Sequence, residues 1–96
     1  MSGWILESSD PPVTLRLSHA AIKTVGRTSR ADFILEAPLV SRLHCRLTAD
    51  DSDQLIVEDL ESTNGTLVNG ERVSRAVLRT GDTLTVGRVN FAVLPG

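Results

Sequence analysis

The sequence predicts an all-β fold, two sheets facing each other as a sandwich. No long stretch of the 96 residues keeps a helical period. Short β-branched or alternating runs recur instead, separated by turn residues. About ten such strands in one chain imply two layers across one aliphatic core.

Taken in order, Gly3 to Leu6 is the first strand. Val13, Leu15 and Leu17 alternate with Thr14, Arg16 and Ser18, the period of a half-buried strand. Ala21 to Val25 follows and stops at Gly26. Phe33 to Leu35 is short and Pro38 closes it. Leu43, Cys45 and Leu47 alternate with His44, Arg46 and Thr48, then a polar turn from Ala49 to Asp53 leads into Leu55 to Val57. Asn64-Gly65 and Asn69-Gly70 are turn pairs that accept positive φ, and the second fits a two-residue hairpin loop. Gly81-Asp82 turns the chain into Thr83 to Val86, and Gly87-Arg88 into Val89 to Leu94.

Thirteen Leu, ten Val and four Ile, with one Trp, two Phe and no Tyr, fill one such core and not two. Residues 1–96 are therefore read as a single domain. The net charge of -2 argues against broad attraction to nucleic acid or anionic membrane. Charge is unevenly placed: no Lys or Arg lies between Arg46 and Arg72, where Asp50, Asp51, Asp53, Glu58, Asp59 and Glu61 cluster. This acidic run reads as a solvated hairpin. The lone Cys45 excludes an intrachain disulfide and a thiolate metal cluster, and reads as a small buried residue. Met1 to Pro12 has neither a basic start nor an apolar run, so no secretory signal or membrane anchor is expected, and a cytoplasmic setting is. Trp4 is expected to pack at a sheet edge.

Catalytic signals are weak. His19 and His44, in strand-like surroundings, have no metal-ligand spacing between them or to Cys45. Ser41, His44 and Asp59 make a hydrolytic triad only on paper, since nothing resembles a nucleophile elbow. The loops are more informative. Arg27 follows the strand-ending Gly26, Ser41-Arg42 follow the Pro38 loop, and Ser62-Thr63-Asn64-Gly65 is a polar reversal. All three segments border strands that run to one end of a sandwich, the usual place for binding. Together they offer guanidinium, hydroxyl, amide and backbone N–H donors, the set a phosphate requires, with a planar Arg fork to match it.

These blocks, in order, resemble a known family. Gly26-Arg27, Ser41-Arg42-Leu43-His44 about fourteen residues on, Ser62-Thr63-Asn64-Gly65-Thr66, Val68-Asn69-Gly70 and the closing Leu78-Arg79-Thr80-Gly81-Asp82 are similar in order and spacing to the forkhead-associated (FHA) domain. The resemblance runs from about Trp4 to Leu94. It implies an FHA-like sandwich of about eleven short strands that binds phosphothreonine peptides through the loops at one end. Arg27, Ser41 and Thr63 would then contact phosphate oxygens. Asn64 would hold the peptide main chain, and Arg42 would reach phosphate or backbone. His44 would support the loops from inside, with Gly26 and Gly65 as backbone requirements. The implied partner is a phosphothreonine-containing protein made by a Ser/Thr kinase, with no cofactor, metal or catalysis. Two other readings stand beside this one: an FHA-fold scaffold that binds an unphosphorylated partner through a sheet face, and a small hydrolase built on Ser41 and His44.

Overall fold

The computed structural model describes residues 3–96. Eleven strands follow one another: β1 (Gly3–Ser9), β2 (Pro12–Ser18), β3 (Ile22–Gly26), β4 (Phe33–Ile34), β5 (Cys45–Ala49), β6 (Leu55–Asp59), β7 (Thr66–Val68), β8 (Glu71–Val73), β9 (Arg75–Leu78), β10 (Thr83–Val86) and β11 (Val89–Pro95). They form a six-stranded sheet, β2-β1-β11-β10-β7-β8, and a five-stranded sheet, β4-β3-β5-β6-β9. Among the described residues, no helix is long and apolar enough to cross a membrane.

Alternation decides which side chains enter the core. In β2, Leu15 and Leu17 are buried while Thr14, Arg16 and Ser18 are exposed, and in β11 Val89, Phe91 and Val93 are buried while Asn90 and Ala92 are exposed. Phe91, Leu6, Leu47, Leu55, Leu78 and Leu84 are the largest side chains shut in between the sheets. Each contributes about 1.5–3 kcal/mol by leaving water. The sandwich is thus held by its aliphatic interior, and the loops at its ends are supported by hydrogen bonds instead.

The turn chemistry follows the sequence closely. Val68 pairs with Glu71 across Asn69-Gly70, both at positive φ (51° and 85°), which is the twist a two-residue hairpin needs. The Asn69 side chain then ties this tip to the next turn. Its Nδ2 donates to Asp82 Oδ1 (3.0 Å) and its Oδ1 accepts from Thr83 N (2.9 Å). That tip, the Asp50–Gln54 turn and the meeting of Gly3 with Gly96 all lie at one end of the sandwich. The loops after β3, β4, β6 and β10 lie at the other.

Four expectations change. β9 was not anticipated: it is a four-residue edge strand in which only Leu78 is buried, too short to show an alternation. Trp4 is partly buried on β1, an interior strand between β2 and β11, rather than at an edge. His19 sits on an exposed turn rather than in strand-like surroundings. The acidic run is not uniformly solvated. Glu58 Oε1 pairs with Arg46 Nη2 at 2.9 Å, and Asp59 is a structural acceptor in the loop described next.

Candidate phosphopeptide site

Three backbone approaches bring the loops together. Where β3 ends, Arg27 N donates to Ser41 O (2.9 Å), and His44 N donates to Val25 O (2.8 Å). Gly26 lies between these two bonds, and a Cβ there would stand 2.0 Å from the Arg42 carbonyl oxygen. Glycine is required because backbone passes against backbone, not because of its φ. Thr63 N then donates to Ser41 Oγ (3.0 Å), and Asn64 Nδ2 donates to Leu39 O (3.2 Å). The loop after β6 is thereby stitched to the loop between β4 and β5.

His44 braces this arrangement from beneath. It is fully buried. Ser41 N donates to its Nδ1 (3.0 Å), so Nδ1 carries the lone pair and Nε2 the proton. Nε2 then donates to Gly65 O at 2.8 Å. One ring spans both loops and uses both nitrogens. The contact to Ser41 is through the backbone N–H, so the ring is not placed to take a proton from Ser41 Oγ. His44 also precedes β5 rather than belonging to it, and His44 and Cys45 are both buried. A strict strand alternation from Leu43 to Leu47 therefore fails at this residue.

The β6–β7 loop has its own internal anchor. Asp59 Oδ1 accepts from the hydroxyls of Ser62 and Thr66, and Oδ2 accepts from Ser62 N (3.1 Å). Ser62 Oγ accepts in turn from Gly65 N (3.0 Å). Partial burial works to raise the Asp59 pKa, but the hydrogen bonds from the Ser62 and Thr66 hydroxyls and from Ser62 N outweigh it, and the carboxyl is held below its ordinary value. At Cys45 burial acts in the same direction and nothing opposes it, so the thiol is pushed up to about 12 and stays protonated.

Above this scaffold lies a pocket of about 260 Å³ lined by Arg27, Ser41, Thr63 and Asn64 on its polar side and by Pro38, Leu39 and Val40 on its apolar side. Ser41 Oγ accepts from Thr63 N and keeps its own proton to donate. Asn64 spends one N–H on Leu39 and keeps its Oδ1 and second N–H. The Arg27 side chain is exposed, and among the described residues it makes no ion pair. A cation with unused forked donors, beside free hydroxyls and an amide, is a set that can hold an oxyanion.

The FHA domain model matches residues 23–87, which takes in the strands and loops that build this pocket. The chain belongs to the FHA family. FHA domains are phospho-motif readers, protein–protein interaction modules that act through arginine-centred sites. Over 80 residues the chain is 37% identical to the glycogen accumulation regulator GarA of Mycobacterium tuberculosis, covering 83% of this chain and 49% of the relative. Over 73 residues it is 36% identical to the oxoglutarate dehydrogenase inhibitor of Corynebacterium efficiens, covering 76% and 51%. The chain spans about half the length of these curated relatives. EmbR of Mycobacterium tuberculosis, solved in complex with a low-affinity phosphopeptide, superposes with a TM-score of 0.86 at 26% identity, covering 98% of this chain and 24% of that one.

The FHA fold brings together Arg27, Ser41, Thr63 and Asn64 around the pocket and puts His44, Gly26 and Gly65 behind it. Arg42 is different. Its carbonyl packs on Gly26 and its side chain is exposed on the same end, outside the residues that line the pocket. Asp59 and Ser62 went unread as site residues, because their effect depends on four hydrogen bonds inside one loop and no spacing rule reports those. Among the described residues, no group of three or more His, Cys, Asp or Glu side chains is placed to hold a metal ion.

Proposed function

We propose that residues 1–96 form one FHA domain that works as a phosphothreonine-dependent interaction module, docking partner proteins phosphorylated by a Ser/Thr kinase. The observation that carries this is the convergence of Arg27, Ser41, Thr63 and Asn64 on one pocket whose opposite wall is apolar. In this reading the Arg27 fork and the hydroxyls of Ser41 and Thr63 bind the phosphate. Asn64, already fixed to Leu39, uses its remaining amide atoms on the ligand main chain. Arg42 adds positive potential from outside the pocket. The phosphopeptide bound by EmbR supports the ligand class. Catalysis has no part in it: the only histidine at the site is committed on both nitrogens to backbone partners. A reducing, cytoplasmic setting fits a buried free thiol at Cys45.

The test is a calorimetric titration of one peptide in three forms. The phosphothreonine form binds and the unphosphorylated form does not. Phosphoserine presents the same phosphate but lacks one methyl group, which the Pro38–Val40 wall would accommodate. It should bind about 10-fold more weakly or less tightly still, the scale of one carbon in an apolar recess. Equal affinity for all three peptides overturns the proposal.

A further inference from the structure

Arg72 lies on β8, the edge strand of the six-stranded sheet, in register with Leu67. No strand lies beyond it, and its side chain folds over the neighbouring β6–β7 loop. A Cβ on Gly65 would stand 2.9 Å from Arg72 Nε, 3.1 Å from Cζ and 3.2 Å from Cδ. The guanidinium group is therefore seated against Gly65, one residue past the pocket-lining Asn64 and just outside the residues that line the pocket.

That seat is rigid. Gly65 is held through its N–H by Ser62 Oγ and through its carbonyl by His44 Nε2, while Asn64 is tied to Leu39. The seated cation is nonetheless exposed and unneutralised. Among the described residues the one ion pair is Arg46–Glu58, on the other sheet. Arg30 and Arg42 are also exposed. A fixed guanidinium fork with its donors unspent selects for the position of an oxyanion, whereas a mobile cation adds only potential.

We propose that Arg72 is a specificity-determining residue that reads a second oxyanion on the ligand, a carboxylate or a further phosphate at one set distance from the phosphothreonine. This rests on the phosphothreonine reading above.

The full chain is titrated with a phosphothreonine peptide otherwise flanked by alanines, then with versions carrying a single Asp at each flanking position, then with phosphoserine at each. Three proteins are compared: the parent, Arg72→Gln, and Arg79→Gln, the last a control at the opposite end of the sandwich. At one flanking position Asp should tighten binding to the parent by roughly 3- to 5-fold, the reach of a well-placed exposed ion pair. Phosphoserine there should do more, which separates the two sources of the anion. Arg72→Gln should erase the gain at that position alone, and Arg79→Gln should leave it. Thermal melts of the variants should match the parent. A uniform loss across every peptide in Arg72→Gln, or no positional gain in the parent, overturns the role of Arg72 while the phosphothreonine reading stands. Failure of the parent to bind the all-alanine phosphothreonine peptide overturns both.

Discussion

Gly26→Ala should be among the most damaging single-carbon additions to this domain. The new Cβ would lie 2.0 Å from Arg42 O, 2.8 Å from Arg42 C and 2.9 Å from Leu43 Cα, all of them backbone atoms that no rotamer change can move. Reaching even 3.0 Å, the tightest approach a Cβ tolerates, requires the end of β3 and the 42–43 segment to part by about 1 Å. The bonds on either side, Arg27 N to Ser41 O at 2.9 Å and His44 N to Val25 O at 2.8 Å, would then leave hydrogen-bonding range. Two lost bonds at about 1 kcal/mol each and a crowding cost of about 1–3 kcal/mol give a destabilisation of about 3–5 kcal/mol. For a domain of this size that is a fall of roughly 12 °C or more in the melting midpoint. Phosphopeptide affinity should fall as well, since the same parting separates Arg27 from Ser41. Gly70→Ala is the control. It meets no atom within 4 Å but sits at φ +85°, so it should cost only the left-handed penalty of about 1–2 kcal/mol. Urea denaturation of both variants gives the comparison. If Gly26→Ala is as stable as Gly70→Ala, the close approach is not what fixes glycine at this position.

Three further outcomes are expected. His44→Ala strips partners from Ser41 N–H and Gly65 C=O, so denaturation should show a loss of about 2–5 kcal/mol; a variant that melts like the parent but fails to bind would make His44 a ligand contact. The Asp59 carboxyl is held below its ordinary value of 3.8, so its stabilisation is complete at neutral pH and fades as acid protonates it. The stability gap between the parent and Asp59→Asn should therefore narrow below about pH 4, and a gap independent of pH would refute the anchor. Arg27→Ala should cost about 2–5 kcal/mol of phosphopeptide binding, with Arg27→Lys restoring only part; unchanged affinity in a titration would remove Arg27 from the site.

What the sequence made legible was whatever is written locally. The alternation of Val13 to Leu17 reports a strand with one buried face, and Asn69-Gly70 reports a hairpin, because each is settled within a few residues. The order of the loop blocks was legible too, and with it the four polar side chains that line the pocket. Contacts that close across the fold were not. Arg72 and Gly65 meet only because β7 and β8 pair in one register. Asn64 reaches Leu39 across 25 positions of chain. Asp59 looked like one more solvated acid in a polar run, since its three donors come from a loop whose path the composition does not encode. β9 escaped for the opposite reason: an edge strand with one buried residue resembles a loop until its partner, β6, is placed beside it.

Gly96 N donates to Gly3 O at 2.9 Å, at the end of the sandwich away from the pocket. Whatever is joined to the domain on either side must therefore emerge at a shared root, at the opposite end of the strands from the bound ligand. No extent of the domain exceeds 34 Å, so a flexible tether of roughly ten residues, fully extended, matches its greatest dimension. A surface or bead that holds the domain by either extremity will present every pocket outward.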